Sequence, residues 1–391
     1  MKKKLLYVVQ YFKKDFLQAD DPIFTINAFK KYFNVEILIT SKFKTFSQHQ
    51  SLKLIKQKID KINPEIIFFI TPEAYPYYTD KFLSYLKKKY FLINWSCDHE
   101  LYRTSNLFFN QYADFILSHA PWEIHKSIKE SQYNYLFNGN YKINKINLKK
   151  TIDVITIGTM NKSTRMEFTN YLKNNGIKIF DYGPGSTNGI LSRKNYFKKI
   201  SQSKIALRFS GRDIKKNINP LRIDPKSRFI KTQTVGINDY LSCGTFLLCE
   251  KMFLEKRVKQ NKHLVFFKSK KDLLHKVKYY LKNEKKREII GNNGFKLFLK
   301  EYQEKKLIKH IANKIHKRIE KKNHFKNYEI NLSTRINYIK IFNNYQFLNL
   351  NFKYSNLNSI LNFMFEVLKF PYFSYLQVVR LFINKTKKLL I

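Results

Sequence analysis

Residues 239–248 read Asp239-Tyr240-Leu241-Ser242-Cys243-Gly244-Thr245-Phe246-Leu247-Leu248. A short helix over 238–242 ends at Cys243-Gly244, and an apolar run over 245–249 follows at once. A run of that length, continuous rather than alternating, fits a strand buried on both faces of a parallel sheet. The glycine lets helix and strand approach closely. The acidic residue, a turn before that corner, offers two acceptor oxygens, as a pair of ribose hydroxyls requires. A helix-to-strand corner is part of a β-α-β unit, so the alternation should continue on both sides.

It does. Upstream, a strand over 153–157 ends at Gly158, and a helix over 163–175 ends at Gly176. A strand over 178–182 then runs into Gly183-Pro184-Gly185, followed by a helix over 194–202 and a strand over 204–209. Downstream come a strand over 263–267 and helices over 269–283 and 285–300. A separate alternation fills the start of the chain, with strands over 5–9, 35–40, 65–70, 90–95 and, more weakly, 114–118. Helices over 22–33, 50–62 and 77–89 lie between them; Leu52, Ile55, Ile59 and Ile62 share one face of the second, which Asn63-Pro64 breaks. The polar stretch 138–150 separates the two series. The pattern predicts an α/β protein of two Rossmann-like domains facing across a cleft, residues 1–145 and 151–322. Residues 323–391 lose the alternation. There Phe363, Val367, Phe370, Phe373 and Leu376 form an apolar stripe at helical spacing despite Pro371. The stripe fits a helical extension, packed on the domains or laid on an anionic membrane.

Composition narrows the classes. Of 391 residues, 43% are hydrophobic and 16% aromatic, enough for two cores and too much for a disordered chain. The formal net charge of +45 has two readings. One is a polyanionic partner, whether nucleic acid, membrane or phosphorylated substrate. The other is AT-rich codon usage, which loads solvated faces with lysine. Three cysteines without a CxxC pair argue against a disulfide framework or a zinc site and for a cytoplasmic chain. The opening apolar run, 5–9, is too short for a signal peptide, and no run of about 18 apolar residues exists to span a membrane. No zinc-finger, RNP or helix-turn-helix signature appears, so no specific nucleic acid is expected.

Ligands of such sheets bind outside the carboxyl ends of the strands. Gly158 and Thr159 follow one strand end, with Arg165 expected about two turns into the next helix, where an anion is favoured near the N-terminus. Gly183 opens a tight turn at the next end. Arg208 ends a third strand, and the basic stretch 211–231 carries Lys226 and Arg228. In the first domain, Asp98, His99 and Glu100 follow one strand and His119 another; Asp98 is the candidate general base and His119 reads as structural.

Residues 153–302 resemble the C-terminal domain of CgeB-like glycosyltransferases, the spore maturation protein type, related to glycosyl transferases group 1 and to the GT-B superfamily. The runs that carry the resemblance are DVITIGTMNKSTR (153–165), IKIFDYGPG (177–185), SKIALRF (203–209), NDYLSCGTFLLCE (238–250) and the stretch 263–295 ending in GNNGF. INWSCDHEL (93–101) and YADFILSH (112–119) match more loosely. The family glutamate before Cys-Gly is Asp239 here, the first glutamate of the family-four Glu-x7-Glu pair falls at Lys231, and an upstream family arginine falls at Gly236. Both retention and inversion therefore stay open. The resemblance implies a nucleotide-sugar donor as substrate, no cofactor and no bound metal. Gly158, Thr159, Arg165, Gly183, Arg208, Arg228, Asp239, Gly244 and Thr245 would bind the donor, and Asp98 with His99 would act on the acceptor. The implied partners are a glycan or lipid-linked acceptor of surface-polysaccharide synthesis and an anionic membrane face, met from the cytoplasm. The competing readings are a catalytically degenerate GT-B scaffold and a basic nucleic-acid-binding protein.

Overall fold

The computed structural model describes residues 2–9, 22–43, 48–70, 78–96, 106, 108–119, 133–136, 141–160, 163–209 and 236–321. The first domain is a six-stranded sheet in the order β2-β1-β3-β4-β5-β6, every neighbouring pair parallel. Its strands are β1 (Lys4–Val9), β2 (Asn34–Ile39), β3 (Ile66–Ile70), β4 (Phe91–Ser96), β5 (Phe115–Ser118) and β6 (Tyr133–Tyr135). Helices α1 (Pro22–Phe29), α2 (Gln48–Ile62) and α3 (Asp80–Lys89) connect them. Thr79 caps α3 by accepting from the Phe82 N–H, which starts that helix later than the expected residue 77. Sequence reading did not anticipate β6, a strand of only three residues.

The second sheet has five parallel strands in the order β11-β10-β9-β7-β8. These are β7 (Ile152–Ile157), β8 (Ile179–Tyr182), β9 (Ser203–Arg208), β10 (Phe246–Glu250) and β11 (Val265–Phe267). Around them lie α4 (Ser163–Asn174), α5 (Arg193–Gln202), α6 (Ile237–Cys243), α7 (Lys270–Lys282) and α8 (Glu284–Leu297). A π-turn (Phe298–Tyr302) leads into α9 (Glu304–Glu320).

Each sheet is buried on both faces, as continuous apolar strands require. In β1, Leu5, Tyr7 and Val9 point into one core and Leu6 and Val8 into another. In β7, Ile155 and Ile157 face the first of these, while Val154 belongs to a third core on the far side of the second sheet. The first core thus runs through both domains and unites them.

Helix α9 explains that union. Leu307, Ile308, Ile311, Ala312 and Ile315 make one buried stripe in the shared core. Its flanks hold the first domain: Glu304 pairs with Lys31, His316 stacks on Phe33 at 4.9 Å, and Lys314 Nζ donates to Asn134 Oδ1 at 3.2 Å. Residues 304–320, which the division at 151–322 puts in the second domain, therefore pack on the first. The chain crosses between domains twice, at 141–150 and again at the π-turn. The two crossings are tied where the Glu304 N–H donates to the Tyr141 carbonyl at 3.1 Å. The expected extension over 323–391 lies outside the described residues. Among the described residues no helix is long and apolar enough to cross a membrane.

Candidate active site

The carboxyl ends of β7 and β8 carry two glycine turns built against each other. The Gly158 N–H donates to the Tyr182 carbonyl at 2.8 Å, and the Met160 N–H to the Pro184 carbonyl at 2.9 Å. A Cβ on Gly183 would stand 2.5 Å from the Gly158 carbonyl oxygen, so only a glycine allows this contact. Gly158 itself has φ 139°.

Arg165 fills the space that Gly158 leaves. A Cβ on Gly158 would lie 2.2 Å from Arg165 Nη1, which donates to the Thr159 carbonyl at 3.0 Å. Helix α4 begins at Ser163, so Arg165 sits in its first turn rather than about two turns in, and its guanidinium folds back under the glycine turn. It is 9% exposed, and its Nε has no hydrogen-bond partner among the described residues. Burial, and then the nearby charge of Arg208, lower its pKa to about 10. No carboxylate among the described residues balances it.

Arg208 closes β9, level with Cys249 in β10. Its guanidinium lies against Gly236, where a Cβ would be 2.9 Å from Nη1. Tyr240 lies within electrostatic reach of both arginines, and its buried hydroxyl has no hydrogen-bond partner among the described residues. Burial raises its pKa, and Arg208 and Arg165 both act to lower it. A buried guanidinium, a second and half-buried one near it, and the Tyr240 hydroxyl make a setting that favours an anion.

Asp239 lies on the first turn of α6, 1% exposed, with Oδ2 accepting from the Tyr196 hydroxyl at 3.0 Å. Burial and then Asp239 push the Tyr196 pKa well above its usual range. Asp239 therefore stands at the carboxyl edge of the sheet, bonded to α5 through Tyr196.

Gly244 and Thr245 are not brought to this edge. They precede Phe246, the first paired residue of β10, and so stand at the amino end of the sheet. The Gly244 N–H caps α6 by donating to the Leu241 and Tyr240 carbonyls. Thr245 Oγ1 donates to the Ile200 carbonyl at 2.9 Å. The sequence put them at the site because they adjoin Asp239 in the chain; α6 then carries them to the opposite edge. In the first domain, His119 follows β5 and is 4% exposed. Asp98, His99, Glu100, Lys226, Arg228 and Lys231 lie outside the described residues.

Sequence reasoning missed Tyr240 and Tyr196. Tyr240 stands inside the motif itself, but an aromatic beside a buried strand reads as core. Only its two guanidinium neighbours mark it, and they come from residues 32 and 75 positions away.

Residues 165–317 match the family described as Glycosyl transferase-like. No curated protein matches the chain by sequence. Solved structures do match. The HepE protein of Anabaena, in complex with UDP-glucose, gives a TM-score of 0.55 at 10% identity, over 81% of this chain and 100% of its own. Sucrose-phosphate synthase from Thermosynechococcus elongatus gives 0.54 at 9% identity, over 81% and 98%. A glycosyltransferase from Rickettsia africae gives 0.52 at 12%, over 81% and 99%. At these identities the likeness is one of fold, and that fold is GT-B. Residues 165–317, most of the second domain, thus resemble a glycosyl transferase-like domain, and the chain as a whole has the two-domain fold of GT-B structures.

Proposed function

We propose that the chain moves a sugar from a nucleotide-sugar donor to a surface-glycan acceptor, such as lipopolysaccharide or capsule, without a bound metal, as a CgeB-like member of the glycosyltransferases. The observation that carries the donor reading is Arg165: a buried guanidinium that no carboxylate among the described residues balances, near Arg208 and the Tyr240 hydroxyl, at the carboxyl edge of the second sheet. A diphosphate would supply the missing charge. The Anabaena HepE structure, with UDP-glucose bound in the same fold, supports the choice of anion.

In the reaction the acceptor oxygen forms a bond to the anomeric carbon while the bond from that carbon to the diphosphate oxygen breaks. Negative charge grows on the departing nucleoside diphosphate. Arg165, Arg208 and the N-terminus of α4 face that charge, with Arg228 and Lys226 as further cations. Asp98, assisted by His99, is proposed to take the acceptor proton. Gly158, Thr159 and Gly183 bring backbone close to the donor, and Asp239 would turn from Tyr196 to the ribose. Gly244 and Thr245 act by fixing α6, which bears Asp239. The basic tail over 323–391 is proposed to hold the enzyme at an anionic membrane face. A second reading, nucleotide binding without transfer, is favoured by the Asp239–Tyr196 bond, which keeps the ribose carboxylate occupied.

The test is a thermal-shift screen with UDP, GDP, ADP and CMP, alone and as their sugars. A bound nucleotide raises stability by about 2.7 kcal/mol at a hundredfold excess over Kd. Arg165→Ala and Asp239→Ala should abolish the shift of whichever nucleotide binds. A shift without sugar transfer would support the second reading, and no shift with any nucleotide would sink the first.

A further inference from the structure

The glycine turn after β8 is held by a carboxylate that the donor site does not itself use. Asp181, the third residue of β8, is 4% exposed. Its Oδ2 accepts from the Thr187 hydroxyl at 3.1 Å and from the Thr187 N–H at 3.4 Å. Asn188, with its amide in the orientation its neighbours require, donates to Asp181 Oδ1 at 3.1 Å and to the Asp181 carbonyl at 3.2 Å. Lys173, near the end of α4, lies 3.5 Å from the same carboxylate. Four groups from the turn and from α4 thus converge on one buried acid.

What the turn touches gives this meaning. Its closure is sealed by the Gly183 N–H donating to the Gly189 carbonyl at 2.8 Å. Gly183 packs directly on the Gly158 carbonyl, and the Pro184 carbonyl accepts from the Met160 N–H. The Thr159 carbonyl between those residues is the acceptor that orients Arg165. A continuous series of contacts therefore leads from the Asp181 carboxylate, through the turn over 183–189 and the Gly158 turn, to the guanidinium. The other end of the helix that bears Arg165 is bound to the same acid through Lys173.

We infer that Asp181 is a positioning residue for the donor diphosphate, acting on Arg165 through the two stacked glycine turns. It touches neither substrate nor Arg165. The inference rests on the donor-site reading above. A buried carboxylate that merely stabilised the fold would be indifferent to which part of the nucleotide is bound. A residue that aims Arg165 affects the phosphates and leaves the nucleoside alone.

Titration calorimetry on the full chain distinguishes the two, using UDP, GDP and ADP and the bare nucleosides uridine, guanosine and adenosine. Asp181→Asn should weaken binding of the recognised diphosphate about tenfold, one charge-assisted contact's worth of misplacement, and leave its nucleoside unchanged. Thr187→Val, which removes one partner of the acid and keeps the acid itself, should give a smaller loss of the same kind. In an Arg165→Ala background neither substitution should weaken the diphosphate further, because the group they position is gone. Equal losses for diphosphate and nucleoside, or losses that multiply in the double variants, would overturn the inference while leaving the donor site standing. Failure of the unaltered chain to bind any diphosphate would overturn both.

Discussion

At Gly158 two requirements meet in one residue. Its φ of 139° is a conformation that side chains avoid, and the volume a Cβ would need is held by Arg165 Nη1 at 2.2 Å. The clash is with the far end of a flexible side chain, so Gly158→Ala would be relieved by expelling the guanidinium from under the turn. The expected result is a protein that folds with a lowered melting temperature and loses nucleoside diphosphate affinity as fully as Arg165→Ala does. Gly176 provides the control. Its φ is 77°, but no atom lies within 4 Å of where a Cβ would stand. Gly176→Ala should cost roughly 1–2 kcal/mol of stability and leave affinity intact. Isothermal titration beside thermal melts checks both. A Gly158→Ala variant that binds like the unaltered chain would disprove the assigned position of Arg165. The sequence marked Gly158 as a place where backbone approaches ligand. It did not show that the approaching group comes from the protein, because that depends on how a side chain turns back over its own helix start. Asp181 was illegible for a similar reason: an acid before Gly-Pro-Gly reads as part of a turn until its partners, six and seven residues on, fold back to it.

Elements were more legible than the residues between them. Long periodic helices and short apolar strands appear where the pattern put them, since burial on one face or on two leaves its period in the sequence. The strand β6 and the return of α9 to the first domain were not legible. Three residues carry no period, and an amphipathic helix does not say which domain its stripe will meet. The corner between α6 and β10 shows what element packing demands. Helix α8 crosses it so closely that a Cβ on Gly291 would lie 2.7 Å from the Gly244 carbonyl oxygen and 3.1 Å from the Phe246 nitrogen. Both are backbone atoms and cannot swing aside. Gly291→Ala should therefore force α8 off the corner and destabilise the chain by about 1–3 kcal/mol, more than the helix propensity of alanine returns. A denaturant midpoint that rises instead would show that α8 tolerates the shift. The motif over 239–248 thus divides between two places: its acid stands at the carboxyl edge of the sheet, and its glycine and threonine belong to this packed corner.

The two domains are joined by more than their two chain crossings. Arg257, in the segment between β10 and β11, lies 5.2 Å from the ring centre of Tyr135 in the first domain and 5.0 Å from that of Tyr302 at the π-turn. Glu255, 2% exposed, fixes it: Oε1 accepts from Arg257 Nε at 2.7 Å, and Oε2 accepts from the Tyr302 hydroxyl at 2.5 Å. The Tyr135 hydroxyl in turn accepts from Asn238 Nδ2 at 3.2 Å, next to Asp239 on α6. This clamp spans the interface, so it bears on the domain spacing on which the proposed transfer would depend. Arg257→Met keeps most of the side-chain volume and removes the charge that pairs with the buried Glu255. A loss on the order of 3 kcal/mol is expected. The radius of gyration measured by small-angle scattering should increase as the domains separate. Arg257→Lys keeps the charge but loses the planar fork that lies over both rings, and should fall between the two. Pairing Arg257→Met with Glu255→Gln removes the buried negative charge that Arg257 had balanced and should recover part of the stability without restoring the spacing. If stability returns together with the original radius of gyration, the clamp is only a local ion pair, and the shared core with α9 alone holds the domains.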